Sequence, residues 1–366
     1  MTETLSERAL NRATLARQGL LTREPLGVAA AVERFGGLQA QEAAPPFVGL
    51  WSRLAGFAED ELRAALRARE VVRATTMRGT LHLVTAADYT AFRSSLQPVL
   101  DAGRKVLGNR AAGLDAEAVL PVARALLRER PRTFNEVRDL LVQRFPDVND
   151  RALGFTVRMC LPLVMVPTDD RWAFPRVAEF TLAEDWLGAA PDPADEPDGL
   201  ILRYLAAFGP ATTADAQAWT GLPRLAPVLD RLRPRLRVLA DERGRELFDL
   251  PDAPRPGPDA PAPPRLLPEF DSLVLAHADR SRFVDETDRA RVTTKNLRVR
   301  ATFLWDGRVA GTWDADRKRT SATLRLRPFR PLPDGAADAL VAEAEALLAF
   351  TDPAVARHAV EFADPV

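Results

Sequence analysis

The chain has 366 residues, with 50 Lys/Arg against 51 Asp/Glu and 46% hydrophobic residues. That balance excludes wholesale disorder, and no run of 18 apolar residues exists to span a bilayer. One cysteine, Cys160, excludes an internal disulfide framework, and three separated histidines give no metal-ligand spacing, so no metal and no cofactor are expected.

The N-terminus, MTETLSERAL, lacks the charged-then-apolar pattern of a secretory signal, which makes a reducing, cytoplasmic home the expectation. A helix is predicted over Ser6–Gln18, ending at Gly19. A second is predicted over Pro25–Phe35, with Val28, Ala31, Val32 and Phe35 on one face and Gly36-Gly37 as its stop. A third near Glu59–Arg69 precedes a strand pair over Val71–Val84, punctuated by Arg78-Gly79, and Thr85 caps a further helix.

Residues 115–175 read as three helices followed by strands at Leu163–Val166 and Arg171–Phe174 around the turn Thr168-Asp169-Asp170. Residues 198–250 repeat that order. Helices carry Ile201, Leu202, Leu205 and Phe208, then Ala214–Gln217, then Leu225, Val228, Leu229 and Leu232. Strands Leu236–Leu239 and Glu246–Phe248 flank a Gly244 turn. Three helices and a hairpin are the order of a winged helix-turn-helix. Two proline-rich stretches, Pro191–Asp198 and Pro251–Pro264, read as stiff linkers.

The C-terminal region reads as short strands at Leu273–Leu275, Arg291–Thr293, Leu297–Arg300, Ala301–Trp305, Val309–Trp313 and Ala322–Arg327, with a helix over Gly335–Phe350. Asp306-Gly307 is a hairpin signal. Alternation of Leu324/Leu326 with Arg325/Arg327 gives one apolar and one arginine face, as in a curled antiparallel sheet or small barrel. Between Glu286 and Arg330 there are 12 Lys/Arg against 5 Asp/Glu, a local +7 that favours an anionic partner despite the neutral total.

The expected fold class is therefore α+β, with three tandem winged helix-turn-helix units and a C-terminal antiparallel β-barrel. The boundaries are 1–112, 113–190, 198–250 and 265–366. Winged-helix units mostly bind duplex DNA.

The segment Gly36-Gly37-Leu38-Gln39-Ala40-Gln41, followed by Pro45-Pro46, is the most informative. In extended backbone Gln39 and Gln41 point to one side while Leu38 and Ala40 pack inward. Together with Gly49–Leu54, Met77–Val84, Leu267–Asp271, Ala278–Arg282 and Val309–Trp313, this segment resembles the family of tandem winged-helix DNA glycosylases. The likeness is to its azinomycin-resistance-like, Gln-x-Gln branch.

The resemblance covers nearly the whole chain. It implies a C-shaped array of winged-helix units on double-stranded DNA, with Gln39 and Gln41 as the catalytic pair. It also implies release of bulky N7-alkylated purines to leave an abasic site. Weak catalytic groups suit that chemistry. A carboxamide cannot titrate at pH 7, but it can hold a water, and an N7-alkylpurine is already cationic and a good leaving group.

Arg78, Thr80, His82, Arg280, Arg282, Lys295, Arg298, Arg317, Lys318 and Arg319 are the candidate DNA contacts. For His82 a phosphate contact, support of Gln39 and a structural role all remain open. Asp271 is a possible second carboxylate. A monomer is expected, without membrane contact. The rival reading is a non-catalytic winged-helix DNA-binding regulator.

Overall fold

In the computed structural model, residues 3–193, 196–294 and 298–364 are described. The helix Glu7–Arg17 starts at Ser6, whose hydroxyl accepts from the Ala9 amide, and ends before Gly19 at φ +65°. It is buried on polar sides as well as apolar ones. Asn11 donates to the carbonyls of Arg282 and Gly307, both at 2.8 Å, and Arg17 pairs with Asp249 at 2.6 Å.

The proline-rich stretch 251–264 lies against the same helix. Prolines lack donors but keep their carbonyls, and Arg8, Arg12 and Arg17 donate to the carbonyls of Pro258, Ala260 and Pro254.

The first two blocks share one sheet and one core. Six strands run in the order Leu38–Gln39, Leu81–Thr85, Val71–Thr75, Leu163–Met165, Glu179–Leu182, Arg132–Thr133. Ala74 facing Val164 joins the blocks. The core beneath runs from Val28 to Leu182 and includes Phe35, Leu83, Val119, Leu141 and Leu153.

The strand expected at Arg171–Phe174 does not form. Thr168 bonds to the Ala173 carbonyl at 2.7 Å, and Ala173 sits at φ +63°, so those residues turn. The partner strand is Glu179–Leu182 instead, and Trp172 packs edge-on to Phe47.

Residues 198–249 hold the helices Asp198–Phe208, Thr213–Thr220 and Ala226–Leu232, then the paired strands Arg237–Asp241 and Glu246–Asp249. Thr212 caps the second of these helices through a capping box with Asp215. Thr4–Leu5 adds a parallel strand to this hairpin.

The expected C-terminal antiparallel barrel is corrected to an open, mixed sheet. Its strands run Arg265–Leu267, Thr302–Trp305, Arg308–Lys318, Ser321–Pro328, Arg357–Phe362, and among the described residues its first and last strands make no ladder. The helix Ala336–Thr351 intervenes before the last strand, so the chain crosses over and re-enters parallel. Leu340, Ala344, Leu347 and Leu348 of that helix cover Leu266, Phe303, Leu324 and Leu326, the face that closure would have buried. Leu273–Leu275 belongs to a 3-10 turn and Arg291–Thr293 to the end of a short helix, so neither is a strand. Leu297 lies outside the described residues.

The arginine face of this sheet is not bare. Arg325 lies near Asp316, Asp314 and Glu361, and Arg327 pairs with Asp314. Arg308 and Arg330 both pair with Asp285. Much of the local +7 is therefore spent on internal ion pairs.

Candidate active site

Gly37 lies at φ +82°, and a Cβ there would sit 2.9 Å from the Leu83 carbonyl, so a glycine is needed where this turn meets the sheet. The next residues add an edge strand with Gln39 opposite His82, and Ala40 donates to the Leu81 carbonyl at 2.7 Å. Leu38 and Ala40 are buried. Gln39 is 9% exposed, whereas Gln41, past the end of the strand, is exposed. Arg73 holds this segment from behind, donating to the carbonyls of Ala40 and Gln41 at 2.8 and 3.2 Å. Pro45 and Pro46 then open the helix Pro45–Arg53, where a missing N–H is harmless. That helix was not anticipated.

A tight turn, Thr76–Gly79, joins the two strands behind. Arg78 occupies the left-handed region at φ +55°, unusual for a residue with a side chain. Its guanidinium folds back under the edge strand. Nη1 donates to the Trp219 carbonyl at 2.7 Å, at the end of the helix Thr213–Thr220, where a cation meets the negative end of the dipole. Nη2 donates to Gln39 Oε1 at 2.9 Å and lies 3.4 Å from His82 Nε2. Burial, with Arg280 nearby, lowers Arg78 to about 10.

His82 is buried, and burial together with Arg78 lowers it to about 3, so it is neutral at pH 7. Its Nδ1–H donates to the Thr80 carbonyl at 3.1 Å, leaving Nε2 as the acceptor facing Arg78.

Gln39 and Gln41 open into one cavity of about 850 Å³, lined also by Arg78, Gly79, Thr80, Gly103, Phe155, Arg158, Met159, Phe270, Thr294 and Arg298. A second cavity of about 330 Å³ adjoins it, sharing Gln41 and Arg158. Among the described residues Gln41 Oε1 makes only a long contact to the Leu81 amide, 3.5 Å, and so is available to a ligand. Arg158 donates to Thr75 Oγ1 at 3.4 Å, and burial lowers its pKa. Phe155, Arg158 and Met159 come from the helix Asp150–Cys160 with i, i+3, i+4 spacing, a face that sequence reasoning passed over.

The structure thus gathers Gln39, Gln41, Arg78, Thr80 and Arg298 around one space. Arg298 is paired with Glu269. His82 lies beneath and has no free surface for a phosphate. Arg280 is half-buried near Arg78 and Arg289, and its Nε has no partner.

Arg282 is corrected. Although it alternates with Arg280, it is 5% exposed and donates inward to the Pro210 carbonyl and Thr14 Oγ1. Asp271 is not a free carboxylate either, since it is buried against Arg53 at 2.7 Å. Lys295 lies outside the described residues. Arg317, Lys318 and Arg319 lie at a hairpin end and do not line the cavity; Arg317 is paired with Asp352 at 2.8 Å.

The sequence model of the "DNA glycosylase AlkZ-like" family matches residues 32–350. The chain belongs to the AlkZ-like DNA glycosylase family. The protein is accordingly a DNA glycosylase, and the regulator reading gives way. Its fold is similar to that of Streptomyces sahachiroi DNA glycosylase AlkZ, with a TM-score of 0.81 over 98% of this chain and 100% of that one, at 21% identity. No curated protein matches the sequence. Among the described residues, no helix is long and apolar enough to cross a membrane.

Proposed function

We propose that this AlkZ-like protein hydrolyses the N-glycosidic bond of N7-alkylated, bulky purines in duplex DNA and leaves an abasic site, with Gln39 and Gln41 as the catalytic pair. The observation that carries the reading is the chemistry of the larger cavity. Its described lining holds two carboxamides, three arginines and two threonines, but neither Asp nor Glu. A neutral purine needs a proton from an acid before it departs, and none of these groups is a carboxylic acid. An N7-alkylpurine needs no such proton.

In this mechanism the C1′–N9 bond breaks and its electron pair moves to N9, quenching the charge of the purinium. The oxygen of a water held by Gln41 bonds to C1′, and the proton of that water passes to solvent. Gln39 Oε1 is held by Arg78, which leaves the Gln39 NH₂ to bind water or substrate oxygen while Gln41 Oε1 faces the sugar. Bare arginines would oppose a cationic sugar. DNA phosphates neutralise them, so Arg158 and Arg280, which have no carboxylate partner among the described residues, belong with the backbone of the bound strand; Arg298 joins them by exchanging Glu269 for a phosphate, and Arg78 adds its charge from behind Gln39. Thr80 and the tip Arg317-Lys318-Arg319 add backbone or groove contacts, and the winged-helix blocks hold the duplex as a monomer.

Incubation with a duplex carrying one N7-alkylguanine, followed by alkaline strand scission, tests this reading. The parent protein should release the base well above the spontaneous rate, and the double variant Gln39→Ala/Gln41→Ala should not. Equal release by parent and double variant refutes the assignment.

A further inference from the structure

Among the described residues the large hydrophobic side chains that stand exposed are Val106 at 69%, Val177 at 56% and Phe362 at 44%. Scattered exposed valines need no explanation. These two share a setting. Val106 follows Lys105 and lies three residues beyond Gly103, which lines the cavity of the glutamines. Val177 follows Arg176, and both line the smaller cavity that shares Gln41 and Arg158 with the larger one. Phe362, by contrast, is on the outer strand Arg357–Phe362 of the C-terminal sheet.

Each valine is held out by a rooted backbone. Leu107 is buried beside Val106, and Gly108, at φ +51°, turns the chain back. Phe174 and Ala178 are buried on either side of the tip Pro175-Arg176-Val177. Among the described residues neither Lys105 nor Arg176 makes an ion pair, in a chain where most arginines near this site are hydrogen-bonded or paired. A basic group beside an apolar tip matches duplex DNA in both parts: the cation meets the phosphate, and the apolar tip meets the sugar or an opened base step.

We propose that Lys105-Val106 and Arg176-Val177 are two wedges that enter the duplex beside the target nucleotide, each cation seated on a phosphate and each valine packed into a loosened base step. The inference rests on the glycosylase reading only in that it places the target between them. The wedges loosen the stack, and the cavity then receives the nucleoside. They act on duplex structure and contribute no group to bond cleavage.

The test uses the full-length protein and two readouts. The first is binding to an undamaged duplex carrying 2-aminopurine, whose fluorescence rises on unstacking. The second is excision of a single guanine carrying a bulky N7-alkyl group from a duplex and from a single-nucleotide bulge, where the base is already loosened. The parent should raise the fluorescence. Val106→Ser and Val177→Ser should each at least halve that rise and slow duplex excision by about ten-fold, the scale of burying one valine. They should cost little on the bulge and leave the thermal midpoint unchanged.

Lys105→Gln and Arg176→Gln should weaken binding and each reduce the salt slope by about one. Valine variants that match the parent in both readouts overturn the proposal, as does a parent that excises without any fluorescence rise. A parent that unstacks the duplex through these valines but releases no base retains the wedges and removes the glycosylase chemistry at this site.

Discussion

Arg78 Nη2 donates to Gln39 Oε1 across 2.9 Å, and a guanidinium can only donate. The contact therefore decides which way the Gln39 amide points: oxygen towards Arg78, NH₂ away from it. Arg78 is itself held by the Trp219 carbonyl and by a backbone in the left-handed region, so the orientation is built in before substrate arrives. Arg78→Ala frees the amide and leaves the Trp219 carbonyl without its donor. The expected outcome is a fall in kcat of about ten- to a hundred-fold, with a smaller change in KM, because positioning is lost more than affinity. Single-turnover excision at saturating enzyme isolates the chemical step. A variant with unchanged single-turnover rate removes Arg78 from the positioning role.

This relationship marks how far the sequence could be read. Gln39 and Gln41 line one cavity, as their spacing suggested, and Thr80 and Arg298 line it too; the expected alternation does not show in burial, because Gln39 is covered like Leu38 and Ala40. The Arg78 contact was not legible, since it depends on a turn that reverses the side chain and on a carbonyl 141 positions away. Arg280 and Arg282 looked equivalent because alternation fixes which side a residue faces, not whether that side is solvent. The Thr14 hydroxyl and the Pro210 carbonyl, both remote in sequence, draw Arg282 inside. The barrel failed for a similar reason: strand patterning says nothing about a later helix that claims the open face. Asp271 sits beside Phe270, which lines the cavity, yet its carboxylate turns the other way.

The pH behaviour of activity and of stability should separate. Gln39 and Gln41 do not titrate, His82 is neutral above about 3, and Arg78 stays charged below about 10. The excision rate per folded molecule should then be level from about pH 5 to pH 9, without a bell. Stability behaves otherwise. His82 and His277 are both lowered by burial from 6.5 to about 3, so between those values the unfolded chain binds the extra protons. Stability is complete above 6.5 and declines as the pH falls towards 3. From pH 6.5 to pH 4.5 His82 accounts for a loss of roughly 2–3 kcal/mol, and His277, buried beside Arg282 and Asp215, acts in the same direction. His82→Gln, which keeps polarity without titrating, should show a shallower fall of melting midpoint over that range. An equally steep fall in the variant assigns the acid sensitivity elsewhere.

Arg158 offers the sharpest test of where the backbone of DNA runs. It lines both cavities, its one close partner among the described residues is the Thr75 hydroxyl, and burial accounts for its lowered pKa. A desolvated cation without a carboxylate is costly until an anion arrives. Arg158→Gln is expected to raise KM about ten-fold and to flatten the dependence of log affinity on log salt by about one. Because the cost of the lone charge disappears, the thermal midpoint should hold or rise. Weaker affinity with an unchanged salt slope argues that Arg158 touches a neutral part of the substrate instead.

The ion pair of Arg53 with Asp271 explains how the segment bearing the glutamines is tied to the C-terminal block. Arg53 ends the helix Pro45–Arg53 that begins four residues after Gln41, and both of its terminal nitrogens reach Asp271, at 2.9 and 2.7 Å. Arg53 also donates to the Gly49 carbonyl, and Asp271 accepts from the Leu273 amide. Both side chains are buried, so deleting one strands the other. Asp271→Ala should cost about 3–5 kcal/mol, read as a large drop in melting midpoint. Arg53→Met combined with Asp271→Leu removes both charges and should recover much of that loss. Excision should follow the folded fraction through this series, because neither residue lines the cavity. A soluble, fully folded Asp271→Ala protein that no longer cleaves would return this carboxylate to the chemistry.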